Sequence, residues 1–475
     1  MSIIGREAEK NLLMQCLETN KSEFVAVYGR RRVGKTFLIK ETFDNQLFFY
    51  ATGILEEKST MAMQLDSFND EIADQGGEEL PRANNWHQAF RNLNTLLEIA
   101  APSKKKIIFL DEVPWMATRN SGFLTALDYF WNRWASSRKD VLLIICGSAT
   151  SWIIENIINN RGGLHNRLTR QILLAPFTLC ECESFFNNGS FTMTRYQMAE
   201  AYMVFGGIPY YLSLLNPELD LNQMIDDVYF RQGAPLQSEF KNLFKSLFQN
   251  PGSHLAIVEA LAHKAKGLTR DEIIKATKLP NGGGITDVLE ELEQCGFIRK
   301  YLAYGKKNKG RLYQLIDPFV LFHLKFSEKQ ERYSENHWQQ FSDTPGHNNW
   351  SGYAFEQLCL LHVEQIKRKL GISGVLTEVS SWRSESYEPG AQIDLVIDRA
   401  DNVINLCEAK YARGEYVISK DGYRNLHNKM AAFSVETKTR KALRITLITT
   451  FGVKQNTYSG EFTSQVILDD LFSPV

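Results

Sequence analysis

The run Gly29-Arg30-Arg31-Arg32-Val33-Gly34-Lys35-Thr36 constrains this chain more than any other stretch. It spells GxxxxGK[ST] between an apolar segment that reads as a strand, Phe24–Tyr28, and a segment that reads as the start of a helix, the context in which this pattern cradles phosphate. Its glycines let backbone N–H groups turn toward phosphate oxygens, and the positive end of the following helix dipole adds to the attraction. Lys35 is placed to reach the β- and γ-phosphates of ATP, and the Thr36 hydroxyl to hold Mg2+.

The surroundings fit that loop. Short apolar runs alternate with helical patterns over residues 1–175, which predicts a parallel sheet with crossover helices. The strands expected are Phe24–Tyr28, Gln46–Tyr50, Lys106–Leu110 and Val141–Cys146, apolar almost throughout, as in strands covered on both faces. The third ends in Asp111-Glu112, which suits Asp111 to the magnesium shell and Glu112 to orienting and polarising an attacking water. Trp115, Trp131 and Trp134 are expected to pack the helices, and His165 and His323, which have no partner pattern, to be structural.

Beyond the sheet the pattern changes. Residues 176–250 read as a helical lid, with Met198–Phe205 and Tyr210–Leu215 as segments. Residues 251–330 read as a winged helix: a helix over Leu255–His263, a start signal at Thr269, a glycine turn at 282–284, a helix over Ile285–Gln294 and two strands, Ile298–Tyr304 and Arg311–Ile316. The wing between those strands carries Lys306, Lys307, Lys309 and Arg311, which could touch a DNA backbone; winged helices also serve as packing modules, and both readings stand. Residues 331–475 form another α/β segment.

Composition bounds the partners. A length of 475 residues implies about three domains. Net charge is −1, so any grip on nucleic acid must come from local basic patches. Seven cysteines without paired metal-ligand spacing read as reduced thiols, and no apolar run reaches the ~18 residues that span a membrane. The expectation is a soluble, cytoplasmic protein without a membrane partner.

Gln392–Asp398 and Val403–Lys410 read as two strands of a hairpin. Alternate side chains of a strand share a face, so Glu408 and Lys410 point one way, and Asp394 can meet them from the paired strand. Two carboxylates for magnesium and an ammonium for the nucleophilic water suit phosphodiester hydrolysis; a hairpin with a polar edge is the plainer alternative. Lys420, Tyr423, Arg424 and Lys429 recur at near-helical spacing and would line a phosphate path or simply form a solvated helix face.

Taken together these motifs resemble the archaeal and bacterial ATPases of the AAA+/STAND branch that carry a C-terminal DUF234-type domain, over nearly the whole chain. Ile4-Gly5-Arg6-Glu7 is similar to the family's segment near the adenine. Cys146-Gly147-Ser148 stands where such ATPases place a polar sensor of the γ-phosphate, which implies Ser148. Asn166-Arg167-Leu168-Thr169-Arg170 resembles the family's R-x-x-R segment, whose Arg167 or Arg170 would stabilise the transferring phosphate in cis or across a homo-oligomer, or else serve a surface ion pair. Gly206-Gly207-Ile208-Pro209 resembles the element that sets Pro209 against the base and replaces the arginine sensor of standard lids, which implies a switch-like ATPase. Asp394 with Glu408-x-Lys410 resembles the PD-(D/E)xK nuclease core, without its proline, and Glu356 stands where members supply a further acid. The implied architecture is a multi-domain α/β chain: a P-loop parallel sandwich with helical lid, a winged helix and a restriction-endonuclease-like domain. The implied function is an ATPase coupled to a metal-dependent nuclease-like domain acting on DNA, or a scaffold ATPase whose C-terminal domain only binds a partner.

Overall fold

Val141–Gly147 has no polar side chain and is buried along its whole length, because helices cover both faces of the sheet it belongs to. In the computed structural model, which describes residues 3–54, 60–100, 105–118, 120–159, 163–164, 166–248, 250–264, 266–306, 311–327, 336–342, 344–462 and 464–474, that run is the middle strand of five. They are β1 (Glu23–Tyr28), β2 (Leu47–Thr52), β3 (Lys106–Asp111), β4 (Val141–Gly147) and β5 (Arg170–Leu173), all parallel in the order β2-β3-β4-β1-β5. Helices α1 (Glu7–Glu18), α2 (Lys35–Phe43), α3 (Met61–Ile72), α4 (Trp86–Ile99) and α5 (Phe123–Arg133) belong to the same unit. Its core is aromatic: Trp131 lies 4.9 Å from Phe24, and Trp86 packs edge-on against Phe123 at 4.8 Å. Because β4 separates β1 from β3, the residues after β1, β3 and β4 emerge side by side at the carboxyl end of the sheet, where ligands bind in open α/β folds.

The chain divides into two compact units, Met1–Pro176 with Ser246–Gln249, and Phe177–Lys245 with Asn250–Val475. The three segments expected after the sheet thus pack as one unit. It begins with α6 (Leu179–Asn188) and α7 (Arg195–Phe205), each started by a capping box, Thr178 with Glu181 and Thr194 with Gln197. Such caps contribute about 1 kcal/mol each by satisfying N–H groups that have no partner within the helix. Next come α8 (Gly252–Ala262), α9 (Arg270–Thr277), capped by Thr269, and α10 (Gly283–Gln294). They adjoin a small antiparallel sheet of β6 (Leu268–Thr269), β7 (Ile298–Leu302) and β8 (Arg311–Leu315) in the order β6-β8-β7. Of the expected glycine turn only Gly282 stands outside the helix, since Gly283 and Gly284 are already in α10.

The last part is a mixed sheet of β9 (Thr377–Arg383), β10 (Gln392–Arg399), β11 (Val403–Lys410), β12 (Ala442–Thr449) and β13 (Ser464–Ile467). The first three are antiparallel, and β11, β12 and β13 are parallel. Helix α11 (Pro345–Leu361) packs on β11, and α12 (Lys420–Thr437) connects β11 to β12. A parallel bridge from Ala303 to Ser381, an N–H of Tyr304 donated to Ser381 O at 2.8 Å, and an ion pair from Lys306 to Glu385 tie the end of β7 to β9. At the other side Tyr411 stacks on Tyr196 and donates to Glu200 Oε1 at 2.9 Å, pinning the end of β11 to α7. Among the described residues no helix is long and apolar enough to cross a membrane. His165, Lys307 and Lys309 lie outside the described residues. His323 is buried against Phe240, which pushes its pKa down to about 4, as a structural histidine would show.

Candidate functional site

The loop after β1 is built for close approach. Gly29 has φ +142°, and a Cβ there would sit 2.3 Å from Leu174 O, so no other residue fits without moving the backbone. Val33 is buried and anchors the loop, while Arg31 and Arg32 are half-buried at its rim and Arg30 is buried. Gly34, at φ +92°, caps α2 without a side chain, which leaves the first backbone N–H groups of that helix facing outward. Lys35 Nζ bends back over the loop and donates to Gly29 O at 2.9 Å and Arg30 O at 3.0 Å.

The other strands complete the site. Thr36 Oγ1 donates to Asp111 Oδ2 at 2.7 Å, and Asp111 Oδ1 accepts the N–H of Glu112 at 3.0 Å. A hydroxyl and a carboxylate so placed fit the oxygen donor set of Mg2+. Glu112 takes a left-handed backbone, φ +49°, which turns its carboxylate so that Oε2 accepts both the N–H and the hydroxyl of Ser148, each at 2.9 Å. Burial pushes the Glu112 pKa up, opposed by Lys35 and by the two Ser148 donors. Ser148, expected as a phosphate sensor, is thus found holding Glu112.

Arg6 follows Gly5 in a left-handed turn and donates to Ala175 O at 2.6 Å, next to the Leu174 carbonyl that abuts Gly29. Arg170 pairs with Val25, four residues before Gly29 on the neighbouring strand, about 13 Å away at 3.3 Å per residue. Its guanidinium donates to Thr169 O, and its charge acts on the buried Glu23. Arg167 is exposed and donates to Gly163 O. The structure brings neither arginine to the phosphate end of its own sheet. Pro209 opens a short helix, Pro209–Leu212, after two left-handed glycines, in the second unit.

A second cluster lies on the mixed sheet. The pairing of Leu395 with Cys407 sets Asp394 beside Glu408 at the end of the β10–β11 hairpin, and α11 brings Glu356 over them. Lys410 Nζ lies 2.8 Å from Glu408 Oε1, and Lys429 Nζ, from α12, lies 2.5 Å from Oε2. Gln392 donates to Asp394 Oδ1. Burial, then Asp394 and Glu408, push the Glu356 pKa up to about 7, against the pull of Lys410 and Lys429. Burial acts in the same direction on Glu408, but Lys429 and Lys410 outweigh it and hold its pKa below the usual carboxylate value. Arg299 of β7, which donates to Gln314 Oε1 at 2.7 Å and lies over the Tyr301 ring, faces the charge of Asp394.

The magnesium ion implied for Glu356, Asp394 and Glu408 does not fit these carboxylates as they stand. Both Glu408 oxygens are held by ammonium groups, and among the described residues no three His, Cys, Asp or Glu side chains gather closely enough to hold a metal. Lys429, Gln392 and Arg299 are the neighbours that sequence reasoning missed as site residues. Helical spacing singled out Lys429 without giving it a partner, and nothing in the sequence marked the other two.

A parallel sheet with a phosphate-binding loop after β1, two carboxylates after β3 and a polar residue after β4 defines a P-loop ATPase fold. Residues 3–215 match the family of ATPase domains found predominantly in Archaea. Over 431 residues the chain is 23% identical to an uncharacterized protein of Methanocaldococcus jannaschii, covering 90% of this chain and 91% of the relative. A 43-residue stretch is 42% identical to an uncharacterized ATP-binding protein of the same organism, 9% of this chain and 73% of that one. Among solved structures, the Walker-type ATPase of Pyrococcus abyssi is similar in fold, with a TM-score of 0.51 and 18% identity over 68% of this chain and 96% of that chain.

Proposed function

We propose that the chain is an ATP-hydrolysing, switch-like ATPase of the AAA+/STAND kind, working in the cytoplasm, whose C-terminal sheet is a PD-(D/E)xK-type domain directed at DNA. At the first site a nucleotide phosphate competes for the Lys35 ammonium now held by Gly29 O and Arg30 O, and the outward N–H groups of α2 take the phosphate oxygens. Thr36 and Asp111 would hold Mg2+, which supplies neutralisation of phosphate charge when bound. Glu112, fixed by Ser148, orients the attacking water and takes its proton. Gly5 and Arg6 flank the adenine. A second copy in a homo-oligomer supplies Arg167, since neither arginine reaches its own phosphates.

The observation that carries the second half is the gathering of Glu356, Asp394, Glu408 and Lys410, from one helix and two strands, into one charged cluster. Residues 251–330 serve this reading as a winged helix used for packing. Its third helix, α10, carries Asp287, Glu290, Glu291 and Glu293 and no basic residue, which opposes a phosphate backbone, and its β7 end is engaged with β9. DNA contact is then assigned to Lys410 and Lys429. The two ammonium groups on Glu408 favour a second reading, in which the domain grips phosphate without cutting it. The test is cleavage of linear, circular and single-stranded DNA with Mg2+ or Mn2+, with and without ATP, by wild type, Lys35→Ala and Lys410→Ala. Cutting that disappears in Lys410→Ala and responds to Lys35→Ala supports an ATP-controlled nuclease; ATP turnover with no cutting leaves a binding module.

A further inference from the structure

We propose that the second unit holds a receptor site for a small molecule, in a cavity walled by α7, α8, α11 and residues 318–326, and that its ligand is a flat aromatic organic acid carrying an N–H or O–H donor. The walls include no residue of the nucleotide loop and none of the charged cluster on the mixed sheet.

Trp350, Tyr353, Ala354 and Gln357 recur along α11 at intervals of three and four, and so share one helix face. With Met203 of α7, Ala262 of α8 and Leu324, that face lines a cavity of about 680 Å3. Sites for small molecules measure about 300–1,000 Å3. Phe326 lies edge-on to Trp350 at 5.6 Å and to Phe341 at 5.1 Å, and all three rings line the cavity. Such walls favour a flat conjugated body, which can stack on their faces or meet their edges.

Two polar groups decide what that body must carry. Gln357 is 2% exposed, and its Oε1 has no hydrogen-bond partner among the described residues. Buried carbonyl oxygens in native proteins are nearly always paired, and because Gln357 lines the cavity its oxygen can accept from a ligand N–H or O–H. Lys325, exposed at the rim, forms no ion pair among the described residues, whereas Glu259, also exposed and lining the cavity, is already engaged. The unbalanced charge there is positive, which selects an anion. A purely apolar guest would leave the Gln357 oxygen unpaired, and a cation would be repelled by Lys325.

The test is fluorescence titration of the full chain, without nucleotide, with 6-(p-toluidino)naphthalene-2-sulfonate, a probe that has a flat body, an N–H and a sulfonate. Wild type should bind a single equivalent. Lys325→Glu should weaken that binding about threefold or more, and Gln357→Leu, which keeps the size and removes the acceptor, about tenfold. Ala354→Trp, which fills the space, should abolish it. The uncharged analogue N-phenyl-2-naphthylamine should respond to Gln357→Leu and Ala354→Trp but not to Lys325→Glu. Absence of single-equivalent binding by wild type, or undiminished binding in either folded Lys325→Glu or folded Gln357→Leu protein, would overturn the proposal. Dye held on scattered apolar surface would instead show several weak equivalents that none of the three changes affects, and this too would overturn it. If Ala354→Trp fails to fold, the other two variants decide.

Discussion

Replacing Ser148 by alanine removes the hydroxyl that donates to Glu112 Oε2 at 2.9 Å and leaves the backbone N–H at 2.9 Å in place. A hydrogen bond to a charged group contributes about 1.5–3 kcal/mol, and since one donor survives, the lower end, about 1.5 kcal/mol, applies. That is about a tenfold change in equilibrium. The loss falls on the ionised carboxylate, because both Ser148 donors favour that form while burial opposes it. As pH falls the carboxylate is lost to protonation, and without the hydroxyl it is lost sooner. Ser148→Ala should therefore move the acid limb of kcat for ATP hydrolysis to higher pH, costing about tenfold in rate on that limb and little on the alkaline plateau. Steady-state phosphate release at saturating ATP across the pH range, for wild type, Ser148→Ala and Ser148→Thr, measures it. An acid limb that stays in place or moves down in Ser148→Ala, or a Ser148→Thr variant as impaired as alanine, would show that the Ser148 hydroxyl does not hold Glu112 ionised.

Two further outcomes follow from single residues. His362 donates from Nδ1 to Leu358 O and accepts the Leu179 N–H at Nε2, and burial pushes its pKa from 6.5 down to about 4. The unfolded chain then takes the proton first, so the stability carried by neutral His362 is whole above pH 6.5 and is lost as pH falls toward about 4. The total is about 3 kcal/mol, seen as a fall in denaturant midpoint that His362→Phe should flatten. Gly29→Ala, forced to φ +142° with its Cβ 2.3 Å from Leu174 O, should destabilise the first unit by about 2 kcal/mol or more and weaken ATP binding; calorimetric titration with ATP at wild-type affinity would contradict this.

The nucleotide site was legible because its chemistry demands fixed residue types at fixed spacing. Gly29 cannot be exchanged without losing backbone shape, Lys35 is there for its ammonium and Thr36, or a serine in its place, for a hydroxyl, and β3 announces its carboxylates by its apolar run from Ile107 to Leu110. The hairpin carrying Asp394, Glu408 and Lys410 was legible for a similar reason, since alternation along a strand fixes which side chains share a face. What escaped depends on pairings between distant residues. Ser148 meets Glu112 only because β4 lies beside β3, an order no local pattern encodes. Arg170 sits low on the sheet because of the β1–β5 register, which four residues of strand do not reveal. The packing of the expected lid with the C-terminal sheet runs through Glu200 and Tyr411, 211 residues apart. Lys429 lay on a recognised helix, but spacing on a helix names a face and not the carboxylate waiting opposite.

Under the proposed function this chain hydrolyses ATP through Glu112 in the P-loop site. Glu112→Gln keeps the size of the side chain and can still meet Ser148, but cannot take a proton from water. The direct measurement is nucleotide affinity and steady-state phosphate release for wild type and Glu112→Gln side by side. The variant should bind ATP about as tightly as wild type and turn it over at least about a hundredfold more slowly. Equal turnover by the two proteins would contradict it.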